Sequence, residues 1–298
     1  MEMKDGRHLA VEYFEAPSET HVIQITHGAS EHSGRYAEFA RWLNERGISV
    51  YILNLRGHGL SQDQDVDQVI FKEGDEYQLV SDVLELGDYI KAHHQGPVIL
   101  LGHSMGGMIN RLVMTHQHPY RGFIYCGTRM VTGFQIKQMK LALALAKRKH
   151  SWEEPSELLD EQVFRRVQKD MLKKGYLSSE QDDWLTSDPK EQEKNRADHY
   201  LNQRWSLSAY RGLFYLMEES SRKEAYQVAS GTSVLFLAGR HDGSIDYGKI
   251  TTRLYEGYLE HSEAKISLVY YEGMRHDLLH EGEKEKVYLD IEHFVKRL

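Results

Sequence analysis

Ser104 stands in "ILLGHSMGGM" (99–108), where Gly102, Gly106 and Gly107 surround it directly after an apolar run. Glycine weakens strands and helices alike, so its crowding about one serine needs a local reason. A strand ending at Leu101 and a helix starting near Met105 leave only a very tight turn for Ser104. Where strand and helix cross that closely, the flanking positions must lack bulky side chains, and Gly102 and Gly106 meet that demand. Such a turn presents the serine oxygen at a helix N-terminus, where backbone N–H groups and the helix dipole favour developing negative charge. The chemistry this suits is nucleophilic attack. A serine hydroxyl then needs a base to take its proton, and the base needs an acid to fix its tautomer and stabilise its charged form.

Both partners are expected later in the chain, in the order Ser, then Asp or Glu, then His. Asp242 lies just past the apolar run "SVLFLAG", in "GRHDG", and His276 lies just past the last such run, in "EGMRHD". Among seventeen histidines, position selects His276: His261 falls at a helix end, His280 beyond the loop tip and His293 inside the last helix. Asp246 is the rival acid, four residues further from the strand end, and loop geometry favours Asp242. Asp277 adjoins the base in sequence and would struggle to reach its far ring nitrogen. The oxyanion needs two N–H donors, one from Met105 after the nucleophile and the other from Ala29 in "THGAS", where His27 and Gly28 shape the loop. His103 completes the set of residues that build the serine turn.

The elements that must position these groups alternate. "HVIQITHG" (21–28), "ISVYILNL" (48–55), "GPVILL" (96–101) and "YRGFIYCG" (120–127) read as strands, with helical patterns between them. The rhythm returns with "TSVLFLAG" (232–239), a helix, "KISLVYYEG" (265–273) and a final helix. Strands alternating with helices imply parallel pairing, so the fold class expected is α/β: a mostly parallel, doubly wound sheet covered on both faces. Residues 1–127 and 230–298 form its core in this reading. Between them, 128–229 reads as a helical insertion with no convincing strand, placed as a cap above the edge where such sheets bind ligands.

Composition narrows the function classes. With 298 residues, 40% hydrophobic and 28% charged, the chain has the profile of a soluble globular protein. A net charge of −8 argues against a nucleic-acid partner, which needs clustered Lys and Arg. The start reads as neither secretory signal nor anchor, and the single cysteine, Cys126, reads as a small core residue; a cytoplasmic setting is expected. No metal-ligand spacing such as H-E-x-x-H and no dinucleotide fingerprint is present, so neither metal nor cofactor is expected. "LALALAKRKH" is an apolar helix ending in Lys147, Arg148 and Lys149, which could rest transiently on a membrane surface or pack over an acyl site.

In register along the chain, "HGASEHSGRY" (27–36), "RGHGLS" (56–61), "GHSMGG", "GRHD" and "EGMRHDLLHE" resemble the monoacylglycerol lipase and lysophospholipase group of α/β-hydrolases, within the serine-aminopeptidase-like superfamily. The resemblance implies Ser104, Asp242 and His276 as a catalytic triad, Ala29 and Met105 as oxyanion donors, and a helical cap carrying the acyl-chain site. It implies a small acyl ester or lipid as substrate; short-chain esterase, thioesterase or aminopeptidase-like chemistry, or a non-catalytic binding protein on the same fold, are the alternatives, and the oligomeric state stays open. The chain departs from the group at Asn54, where Asp is usual; that position is expected to be structural. The cap is the weakest part of the match.

Overall fold

A computed structural model describes residues 1–63 and 66–298. In chain order the strands are β1 (Val11–Phe14), β2 (His21–Thr26), β3 (Ile48–Leu53), β4 (Gln68–Val69), β5 (Val98–His103), β6 (Gly122–Cys126), β7 (Arg204–Trp205), β8 (Ser233–Gly239) and β9 (Lys265–Tyr271). The α-helices are α1 (Ala37–Asn44), α2 (Asp75–His93), α3 (Met105–Val113), α4 (Gly133–Lys147), α5 (Glu157–Asp160), α6 (Arg166–Lys173), α7 (Pro189–Ala197), α8 (Leu207–Ser220), α9 (Lys249–His261) and α10 (Lys284–Val295).

Seven strands make one sheet in the order β1-β3-β2-β5-β6-β8-β9, all parallel except β1, which runs antiparallel to β3 at the edge. Side chains of a strand alternate between faces, and the sheet uses both. Ile23, Ile25, Val50, Ile52, Ile99, Leu101, Ile124 and Leu235 pack against Phe39 and Leu43 of α1 and Val287, Ile291 and Val295 of α10. Val22, Leu53, Val98, Leu100, Phe123, Val234 and Phe236 pack with Leu79, Val83 and Leu86 of α2, Ile109 of α3 and Leu254 of α9. Burying each such side chain is worth roughly 1.5–3 kcal/mol. Cys126 ends β6 on the first of these faces; it is fully buried, and burial pushes its thiol pKa up.

Register sets the functional edge. Thr26 of β2 pairs with Gly102 of β5, His103 with Cys126 of β6, and Cys126 with Leu237 of β8. The loops after β2, β5, β6, β8 and β9 therefore leave the sheet on the same side.

The segment between β6 and β8 holds α4 to α8 and one strand of two residues, β7, which pairs in parallel with β4 in a separate ladder. Helix α4 opens on a capping box: Gln135 N donates to Thr132 Oγ1 at 3.3 Å and Thr132 N to Gln135 Oε1 at 2.8 Å. Helix α8 is buried along most of its length and shares a core with α2 and α3. Three strands lie outside the sequence expectation: the edge strand β1, and β4 and β7, whose two residues give no alternation to read.

Candidate active site

Ser104 sits between β5 and α3 at φ 51°, ψ −113°, a region that side chains seldom adopt. Its N–H donates to Cys126 O at 2.9 Å, which locks the turn to the neighbouring strand. The glycines are required by the crossing of strand and helix. A Cβ on Gly102 would lie 2.6 Å from Asn110 Nδ2 and 2.7 Å from Gly106 O; one on Gly106 would overlap the Thr26 carbonyl, and one on Gly107 would lie 2.6 Å from Thr128 Oγ1. The backbone of α3 thus runs against the end of β2, and Ser104 is held at the mouth of the crossing.

His276 follows β9 and Asp242 follows β8, and the structure brings them together: His276 Nδ1 donates to Asp242 Oδ2 at 2.7 Å. Because the carboxylate only accepts, Nδ1 carries a proton, and it is Nε2 that can present a lone pair. Burial opposes the charge on Asp242, but His276 and the hydroxyl and N–H of Ser244 hold its pKa below the ordinary value. Ser244 N donates to Asp242 Oδ1 at 2.8 Å, and Ser244 Oγ lies 2.9 Å from His276 Nδ1. The rival acid Asp246 instead pairs with Lys249 at 3.5 Å. Trp184 lies over the His276 ring, their centroids 5.0 Å apart. Ser104 Oγ makes no hydrogen bond among the described residues, yet it lines the same cavity as His276.

The loop after β2 supplies the remaining groups. His27 is buried; its Nε2 accepts Leu55 N–H at 3.0 Å, so Nδ1 donates to Gly28 O at 2.8 Å. Burial lowers its pKa to about 4, which keeps this tautomer neutral. Gly28 approaches Ser104 so closely that a Cβ there would be 3.2 Å from the serine Cβ. The Ala29 and Met105 N–H groups donate to no acceptor among the described residues.

Beneath the loop lies a buried ionic network that the sequence pattern does not reveal. Glu31 accepts from Gly28 N at 2.5 Å, His103 Nδ1 at 2.8 Å, Tyr36 Oη at 2.8 Å and Arg35 Nε at 3.1 Å. Arg35 also bonds Asp277, whose other oxygen accepts from His280 Nδ1 at 2.7 Å. Burial works against charge on His103, but the Glu31 carboxylate beside it raises its pKa to about 9. Glu31, despite burial, is held well below the usual range by His103 and Arg35. Ligand atoms of Glu31, His103 and Asp277 come within 4.8 Å of one another. The Arg35 guanidinium and the His103 N–H already occupy that space, so a metal ion would have to displace resident cations.

A cavity of about 360 Å³ lies over Ser104 and His276, with Ala29 and Ser30 on its floor and Phe164, Trp184, Leu185, Leu201 and Trp205 among its apolar lining. Larger hollows, of 480 and 640 Å³, lie elsewhere and touch none of these groups. Trp184, Trp205 and Ser244 join the site without a motif to announce them. In chemical terms the arrangement offers a serine at a helix N-terminus, an imidazole oriented by a carboxylate, and two N–H groups without an acceptor among the described residues, beside an apolar hollow.

Comparison with known proteins places these features in a family. The sequence model described as "Serine aminopeptidase, S33" matches residues 17–283. A monoglyceride lipase of Homo sapiens is 41% identical over 108 residues, 35% of this chain and 34% of the relative; this chain therefore matches about a third of that protein's length. Among solved structures, one described as a lipase in its open form superposes with a TM-score of 0.86 at 23% identity, covering 100% of this chain and 97% of that one. A soluble variant of the Saccharomyces cerevisiae monoglyceride lipase, in complex with a substrate analogue, gives 0.74 at 16% identity over 97% and 91%. At these identities the structural likeness is one of fold.

Proposed function

The chain belongs to the serine aminopeptidase S33 family and has the α/β-hydrolase fold, and we propose that it hydrolyses carboxylic esters of single-chain acyl lipids through an acyl-enzyme on Ser104. The observation that carries the reading is the 2.7 Å bond from His276 to Asp242 at the sheet edge that also presents Ser104. His276 Nε2 takes the hydroxyl proton as Ser104 Oγ attacks the ester carbonyl carbon. The negative charge moves to the carbonyl oxygen, where the Ala29 and Met105 N–H groups receive it. Collapse expels the alcohol, protonated by His276, and water then frees the acid by the same steps. Asp242 keeps the imidazole in the working tautomer and stabilises its charged form.

Monoacylglycerols and lysophospholipids are the substrate class proposed. Its support is the apolar lining of the cavity and the likeness to proteins named monoglyceride lipases. In this reading 128–229 is the cap, and Phe164, Trp184 and Trp205 line the acyl path. Helix α4 would meet the lipid surface. Phe134 and Leu141 are 69% and 63% exposed on it, Leu145 continues the stripe, and Lys137, Lys147 and Lys149 flank it. No helix among the described residues is long and apolar enough to cross a membrane.

A second reading, cleavage of an amide at a free amino terminus, would need a cap carboxylate to hold the amine. Asp160, Asp182 and Asp183 line the cavity, but Asp160 pairs with Arg165 at 2.8 Å and Asp182 with Arg275 at 2.7 Å, while both oxygens of Asp183 accept bonds, from Leu185 N–H at 2.8 Å and Asn195 Nδ2 at 2.7 Å. The ester reading therefore stands first. Its test is fatty-acid release from monoacylglycerols, lysophospholipids and short p-nitrophenyl esters, with Ser104→Ala beside the parent and aminoacyl anilides as the amide arm. Release from a long-chain lipid, absent in the variant, is expected; turnover of anilides alone would overturn it.

A further inference from the structure

Ser30 follows Ala29 and stands at φ 60°. A side chain in that region costs about 1–2 kcal/mol that glycine would avoid, so the hydroxyl needs a use. Ser30 Oγ accepts the Trp205 Nε1–H at 2.6 Å, a bond that joins the loop after β2 to β7 of the inserted segment, 175 residues away. Trp205 is buried and has little freedom to turn: its ring meets those of His58, Phe71, Phe164 and Tyr210. The loop meets the segment at two further points, His32 Nε2 with Asp198 Oδ2 at 2.9 Å and Arg35 Nη1 with Asn195 Oδ1 at 2.6 Å. On the other side of Ala29, the Gly28 N–H is fixed to Glu31.

We propose that the Trp205–Ser30 hydrogen bond is a latch through which the inserted segment orients the Ala29 N–H, making Ser30 and Trp205 positioning residues for the oxyanion. The proposal rests on the serine-hydrolase reading above. Glu31 holds the Gly28 N–H, His27 Nδ1 holds the Gly28 carbonyl of the peptide that carries the Ala29 N–H, and the indole fixes Ser30 on its far side, so the N–H has one direction. An oxyanion donor acts by being aimed before charge develops; releasing Ser30 leaves only the His27 and Glu31 side of the loop fixed and widens the range of the Ala29 N–H, and the loss falls on the transition state. It follows that a displacement of the segment that withdrew the indole would also disassemble the oxyanion site, so that capping the cavity and completing its chemistry are one event.

The test compares Ser30→Ala, Ser30→Gly, Trp205→Phe and the Ser30→Ala/Trp205→Phe pair on a medium-chain monoacylglycerol. Each single change is expected to lower kcat about 10-fold, short of the 10²–10³ that follows loss of a whole donor, and in the Ser30 variants, which keep the aromatic lining intact, KM is expected to move less than about threefold. The double variant is expected to be no slower than either single, since both remove one bond. Ser30→Gly relieves the backbone strain and is still expected to be slow. Multiplicative losses in the double variant, a change confined to KM, or full activity in Ser30→Gly would each overturn the latch, and the Ser30 variants decide even if Trp205→Phe fails to fold. A parent inactive on every ester would sink the hydrolase reading and the latch together; an active parent with indifferent variants sinks the latch alone.

Discussion

His103 Nδ1 donates to Glu31 Oε2 across 2.8 Å, directly beneath the turn that carries Ser104, and both residues are buried. The pair ties the end of β5 to the loop after β2, and its two partners titrate in opposite senses. His103 is raised from 6.5 to about 9, so its contribution to stability is complete below pH 6.5 and is lost as pH rises through 9. Glu31 is lowered from 4.5, so its contribution is present above pH 4.5 and is lost as pH falls through its folded value. Thermal unfolding followed against pH is therefore expected to show full stabilisation by this pair from about pH 4.5 to 6.5 and a decline toward 9. Glu31→Gln should lower stability by about 3–5 kcal/mol, because it leaves the buried His103 cation without its carboxylate and Arg35 with Asp277 alone, and should flatten that alkaline decline. An unchanged alkaline slope in the variant would mean that the pair is not its source.

Removal of the three central groups is expected to give a graded series. Ser104→Ala and His276→Ala should each lower kcat by about 10⁶ and Asp242→Asn by about 10⁴, and any two together should cost little more than the worse one. Turnover of one monoacylglycerol by the three singles and one double measures this. If Asp246→Asn were the slower of the two aspartate variants, the acid would be misassigned.

Gly106→Ala places a methyl group on the Thr26 carbonyl, which belongs to a central strand and cannot give way. The expected loss is about 3 kcal/mol, from forced separation of α3 and β2. Urea unfolding decides it, with Gly133→Ala as control, since nothing lies within 4 Å of a Cβ at that site.

Asn54 is fully buried, with Oδ1 accepting Ser33 N–H at 3.1 Å and Nδ2 donating to Ser33 Oγ at 2.8 Å. Aspartate, the usual residue of the resembling group, removes the donor and adds a buried charge with no cation in contact. Asn54→Asp should cost about 1–3 kcal/mol while turnover stays within about twofold of the parent. Equal melting temperatures would show that Ser33 adapts to either residue.

The exposed stripe on α4 predicts salt-sensitive binding to vesicles containing anionic lipid. Phe134→Ser with Leu141→Ser should weaken co-sedimentation by roughly 10- to 100-fold per side chain, since each loses about 1.5–3 kcal/mol of burial. Cleavage of a soluble short ester should not change. Undiminished sedimentation of the double variant would place lipid contact elsewhere.

What the sequence could disclose was whatever is written locally. The glycines about Ser104 and the ends of apolar runs before Asp242 and His276 are local signals, and all three residues come to one sheet edge. The loop "HGAS" was legible for the same reason. The ionic network was not, since Arg35 meets Asp277 across 242 positions and His103 meets Glu31 across 72. Nothing near Glu31 in the chain names those partners. Strands of two residues, β4 and β7, carry no periodicity, and β1 joins the sheet at its edge, where one neighbour suffices and the pattern is weak.

Cys126 offers a practical consequence. The chain's single thiol is sealed beneath the sheet and held protonated by its surroundings, so maleimides and iodoacetamides have no thiolate to find in the folded protein. Two cysteines introduced on exposed positions, one on the outward side of α4 and one on α10, would be the reactive handles, and a pair of labels there would report the distance between the inserted segment and the sheet with no background from the native sequence.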